Sequence, residues 1–239
     1  MRYWELPHVA GRPLVIAVAD FVERNVVRWG EQGLRRYLYG ADYVMTSEPG
    51  EPLAGTIIDV PNHKYGSKTI PSGFFSLPDA EHISAVLFNN SGTVAKFHRK
   101  AFDPVVDRSY RLIRHGFCPD PRPESPLPQP FAYVVGQVDE PWCEGTVVLH
   151  NPNARHPVPE FFFKGTVQWW FRNGDFDVEA PEFHAFNSET TIIPSNDGDV
   201  DGDFEEALEA FADRIVDRLQ MTPNDLAKTY ERHRTMRKP

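Results

Sequence analysis

Residues 83–88, ISAVLF, constrain the fold of this chain more than any other stretch, because only Ser84 interrupts the apolar run. A run of that length, rich in branched and aromatic side chains, reads as a strand covered on both faces. Asn89, Asn90, Ser91 and Gly92 follow it. Asn and Gly tolerate the positive φ that a tight turn needs, so the chain is expected to turn there. It then leaves on TVAKFHR, residues 93–99, read as an alternating strand. That strand places Lys96 and His98 on one face and Arg99 on the other. A buried strand that delivers cations to its exit is a natural place for a site.

Residues 13–19, PLVIAVA, form a second apolar run of strand length. The same argument makes it a central strand of the sheet. Leu34 and Leu38 lie four apart in QGLRRYLY, residues 32–39, which Gly40 ends, and this predicts a short helix. Residues 54–60 are β-prone, and Asn62, Gly66 and Gly73 mark a loop after them. Further strands are expected at 131–135, 146–150, 166–171 and 189–193. In the third of these, Trp169 and Trp170 must point to opposite faces.

Residues 119–130 hold six prolines in twelve positions. Proline fits neither a helix interior nor a central strand, so this stretch reads as an extended connection. It divides the chain into a mixed α/β portion, 1–118, a Pro-rich connection, 119–130, and a β-rich portion, 131–239, which together can form one continuous domain. Near the end, Phe204, Leu208, Phe211, Ile215, Val216 and Leu219 share one helical face, and Pro223 opens a second helix. The fold class is therefore α/β or α+β. It combines a mixed sheet with flanking helices, a β-rich second half and two C-terminal helices.

Hydrophobic residues make up 41% of the 239 positions, enough for a sizeable core. The net charge of −9 disfavours a general nucleic-acid surface, which needs a basic field. No segment approaches the roughly 18 apolar residues of a membrane span, and no basic leader opens the chain, so no membrane partner is expected. Cys118 and Cys143 are the only cysteines, too few for a disulfide framework, which points to a reducing cytoplasm. A protein partner is left open.

Several groups can carry chemistry. Lys96, His98 and Arg99 can hold a small anion, Arg by its planar fork and Lys as a point charge. His150 and His156, in LHNPNARHPVP, can act as acid or base, since histidine titrates near neutrality. Their spacing fits no standard zinc pattern. Asp197, Asp199, Asp201 and Gly202 begin like a calcium loop, but Leu208 stands where the bidentate Glu belongs, so the run reads as an acidic linker. His115 and Cys118, three apart, lack a third partner for nucleophilic catalysis. No nucleotide fingerprint is present. No metal and no cofactor is expected.

The segments GRPLVIAVADF, YLYG, IPSGFF, HISAVLFNNSGTVAKFHR and HNPNARHPVP together resemble a family of uncharacterised bacterial proteins. The resemblance runs to about Ile193. Some members carry a glycosaminoglycan-attachment label; here Thr93 and Val94 follow Ser91-Gly92, which departs from the S-G-x-G pattern. PLVIAVAD and HISAVLF also resemble late strands in the C-terminal half of restriction-endonuclease-like domains. That resemblance implies a non-catalytic or fragmentary relative acting in binding or assembly, because the metal-binding Asp and (D/E)-x-K of such domains lie on earlier strands. Two alternatives stand beside it. One is an enzyme on a small anionic substrate, with the Lys96, His98 and Arg99 cluster as its anion holder. The other is a structural interaction protein.

Overall fold

The computed structural model describes residues 2–19, 30–46, 54–107, 109–119, 128–136, 138–181 and 183–194. They fall into two units: Met1–Ser91 with Cys143–His184, and Gly92–Trp142 with Ala185–Pro239. The cuts differ from the compositional division at the Pro-rich stretch. The fold is α+β, with two α-helices among the described residues and strands as the main element.

The first unit begins with β1 (Val15–Ala19), α1 (Gly30–Tyr39) and the antiparallel pair β2 (Ala41–Thr46) and β3 (Ala54–Asp59). A small hairpin follows, β4 (Asn62–Tyr65) with β5 (Lys68–Pro71). Composition had marked this span only as a loop. Gly66, with φ of 58°, makes its two-residue turn possible. Then comes β6 (Ala85–Asn89), the strand expected from the apolar run.

The second unit holds α2 (Val94–Ala101), β7 (Tyr110–Cys118) and β8 (Gln129–Val134). The chain returns to the first unit for β9 (Thr146–His150), β10 (Val167–Arg172) and β11 (Asp175–Glu179). It closes the second unit with β12 (Asn187–Pro194).

A mixed five-stranded sheet in the order β1-β6-β9-β10-β11 organises the first unit. β1 runs parallel to β6, β6 antiparallel to β9, β9 parallel to β10, and β10 antiparallel to β11. Both faces are covered over the central strands β6 and β9. On one, Val86 and Leu149 pack with Leu38 and Tyr39 of α1 and with Phe75. On the other, Ala85 and Val148 pack with Val158. Leu34 and Leu38 supply the apolar stripe of α1, and Gly40 ends the helix at φ of 68°, as the sequence predicts. Trp169 joins the α1 face, whereas Trp170 stacks on His150 at the other. Their alternation follows from the strand period of two.

In the second unit a three-stranded antiparallel sheet runs β12-β7-β8. β7 ends where the Pro-rich stretch begins, and β8 starts on its last two residues, Gln129 and Pro130, which composition reads as connection; the two strands pair as neighbours. Leu112 anchors a small core with Phe102 and Val135.

Two expectations need correction, and one lies beyond what the structure describes. Residues 94–101 are helical, not an alternating strand, because Thr93 caps a helix by accepting a hydrogen bond from the Lys96 amide at 3.2 Å. β1 lies at a sheet edge, not its centre, and Ile16 is 38% exposed. A two-face apolar sequence cannot by itself distinguish an edge from a centre. The two C-terminal helices and the acidic run at 197–203 lie outside the described residues.

β6 carries the most demanding burial. Val86 is 3% exposed beneath α1, and Phe88 is equally enclosed. Val86→Asp puts an unpaired carboxylate there, at a cost on the order of the whole folding stability. The expected outcome is loss of the cooperative thermal transition. A soluble variant with an unchanged melting temperature would contradict the placement of β6.

Candidate functional site

Lys96, His98 and Arg99 sit on α2, and helical spacing turns two of them inward. Lys96 and Arg99, three apart, are 3% and 5% exposed. The apolar residues on the same helix face outward: Val94 is 86% exposed and Phe97 57%. α2 is thus amphipathic in the inverse sense, with its charged face buried.

The buried face grips residues 139–142. Arg99 donates from Nε and Nη2 to the two oxygens of Glu140, at 2.8 and 2.7 Å, and from Nη1 to Thr190 of β12 at 2.7 Å. Arg114 on β7 approaches the same carboxylate at 3.5 Å and donates to the Tyr133 hydroxyl. Lys96 Nζ donates to the Trp142 carbonyl at 3.0 Å, and Lys100 Nζ to the Glu140 carbonyl at 2.8 Å. His98 turns elsewhere, its Nε2 lying 3.3 Å from the Tyr110 hydroxyl. Outside the grip, Trp142 packs against Phe97 at 5.6 Å between ring centres.

Burial alone would raise the Glu140 carboxyl, but the Arg99 hydrogen bonds and the charges of Arg114, Arg99 and Lys96 outweigh it. The net direction is below the ordinary value of 4.5. A lowered carboxyl stabilises the fold above its unfolded value, and that contribution is lost as pH falls through the folded value.

His150 and His156 belong to the first unit, whereas the α2 cluster belongs to the second. His150 ends β9. Its ring stacks on Trp170 at 4.6 Å, and its Nε2 lies 3.0 Å from Gln168 Oε1. Burial is the main cause that holds the imidazole below its ordinary 6.5. The His156 side chain is exposed, while its carbonyl accepts from Ser84 Oγ at 2.6 Å.

Asn151 fixes the loop between them. It donates to the carbonyls of Ala80 and Ile83, and its Oδ1 accepts from the Asn153 amide. Asn153 in turn donates to the Phe75 carbonyl. The asparagines that read as turn residues are also the staples joining this loop to residues 75–83.

His115 and Cys118 both lie on β7, and an odd spacing on a strand sends them to opposite faces. His115 Nε2 meets Thr191 Oγ1 at 2.8 Å. Among the described residues no group of three or more His, Cys, Asp or Glu is placed to hold a metal ion.

A further charged cluster gave no signal in sequence. Arg35 and Arg36 of α1 both pair with Asp42 of β2, which is fully buried. Glu31 pairs with Arg35, and burial pushes its carboxyl upward. Arg35 lies 4.1 Å over the Trp169 ring. The four residues look like ordinary helix-surface charges until β2 folds back beside α1. Comparison with family models, with curated proteins and with solved structures found no match.

Two outcomes test this geometry. Glu140→Ala leaves the buried Arg99 and Arg114 without their shared counter-charge, and breaking such a pair costs about 3–5 kcal/mol. The denaturant midpoint should fall accordingly; an unchanged midpoint would contradict the arrangement. His150, held neutral in the fold, takes up its proton more readily when unfolded. The stability it contributes is present above 6.5 and is lost as pH falls toward its lower folded value. His150→Gln should therefore show a shallower drop in melting temperature between about pH 7 and about pH 5. A slope identical to that of the parent chain would contradict it.

Proposed function

We propose that this chain is a non-catalytic relative of nuclease-like domains that acts in binding or assembly. One observation carries the reading. The cations best suited to hold an anionic substrate, Lys96 and Arg99, are turned into the protein and engaged by Glu140 and the Trp142 carbonyl. A guanidinium already forked onto a buried carboxylate has little left to offer a phosphate. The surface that α2 presents instead is apolar and aromatic, built from Val94, Phe97 and Trp142. Depletion of charge and enrichment in aromatics mark the centre of protein interfaces, not of anion sites. The two apolar runs that resemble late nuclease strands also pair as neighbours, β1 beside β6.

The reading separates cleanly from the enzyme alternative. Plasmid DNA incubated with the full chain and magnesium should stay intact. Titration with inorganic phosphate or pyrophosphate, followed by calorimetry, should give no saturable heat. DNA cleavage would overturn the proposal in favour of a catalytic nuclease, and saturable phosphate binding that weakens in Lys100→Gln would overturn it in favour of a small-anion enzyme.

A further inference from the structure

The five-stranded sheet ends in two edges of opposite character. At β11 the sequence is DFDVE, and Asp175, Asp177 and Glu179 are exposed. A row of like charges protects an edge from pairing with another copy of itself. At β1 the sequence is VIAVA, with no charge in five residues. Its inner side pairs with β6, and among the described residues no strand pairs with its outer side.

The exposure of β1 does not match its composition. Ile16, Ala17 and Ala19 are exposed, while the next strand inward is almost wholly buried. Apolar runs of this kind occur in strands covered on both faces. An uncharged edge that no described strand covers is a template for one more strand.

We infer that the β1 edge pairs with β1 of a second copy of this chain, antiparallel, so that one sheet runs across a two-fold axis. The inference rests on the assembly reading above and names its partner. Two-fold symmetry relates a strand to itself only in the antiparallel sense. Centring the axis on Ala17 sets Ala17 against Ala17 of the partner subunit. Ile16 then faces Val18 of the partner subunit, and Val15 faces Ala19 of the partner subunit. Every facing pair is apolar, and the smallest side chain sits at the axis. The same operation at β11 would set Asp177 against itself and Asp175 against Glu179, and like charges directly opposite are destabilising. The sheet is self-complementary at one edge and self-repelling at the other. Five residue pairs make a short seam, so the dimer is reversible and concentration-dependent.

Sedimentation velocity of the full chain over a concentration series should show a monomer–dimer equilibrium. Ala17→Glu places two like charges at the axis on an exposed position. It should return the mass to that of a monomer that still unfolds in a cooperative transition, whereas Asp177→Asn should leave the equilibrium intact. Ala17→Cys should form a disulfide-linked dimer under mild oxidation, and Ala19→Cys, whose opposite residue is Val15, should not. A chain that stays monomeric at every concentration and does not cross-link through Ala17→Cys overturns the inference. So does a dimer that survives Ala17→Glu. Either result leaves the DNA and phosphate measurements unaffected, so the seam can fail while the non-catalytic reading stands.

Discussion

The ion pair of Arg99 with Glu140 is the constraint on which the second unit depends. It joins α2 to residues 139–142, and through Thr190 and Arg114 it reaches β12 and β7. A buried guanidinium and carboxylate contribute little net stability over an apolar pair of the same volume. What they impose is specificity. Once both are out of water, no other arrangement satisfies either, so α2 has one rotation about its own axis. That rotation carries Lys96 inward with Arg99 and leaves Val94 and Phe97 outside. The exposed aromatic surface is thus a consequence of where the charges went.

The first unit depends on a different constraint, the burial of β6 and β9 between two apolar layers. Polar staples then fix what packing leaves loose. The Tyr39 hydroxyl meets the carbonyls of His150 and Trp169 at 2.9 and 3.0 Å, tying α1 to the end of β9 and the middle of β10. Asn151 ties the following loop to residues 80–83. Asp42 gathers Arg35 and Arg36. The Tyr39 hydroxyl, the Asn151 amide and the Asp42 carboxylate each find partners that replace what water supplied.

β6 and β9 were readable because burial on two faces leaves an apolar run, as in ISAVLF and TVVLH, whereas β2, β4, β5, β7 and β11 were not readable as strands. α1 was readable from the spacing of Leu34 and Leu38 and its glycine stop. α2 was not. Its outward Val94 and Phe97 and inward Lys96 and Arg99 invert the pattern on which helix recognition relies, and in a short segment the inversion looks like strand alternation. The one true local signal was Thr93, whose hydroxyl caps the helix. The edge position of β1 was also illegible, since composition records coverage of faces and not the number of neighbours. The roles of Arg35, Arg36 and Asp42 required knowing that β2 returns beside α1, which no local pattern encodes.

The claim that decides the rest is that Arg99 and Glu140 exist for each other and not for a ligand. A double-mutant cycle with Arg99→Met, Glu140→Gln and the double variant measures it directly in chemical denaturation. The account predicts strong coupling: each single substitution destabilises by removing one partner of the buried pair, and the double variant loses less than the sum of the two by about 2 kcal/mol or more. Additive effects within about 0.5 kcal/mol would mean that the two side chains act independently. That result would return Arg99 to the pool of residues available to bind an anion.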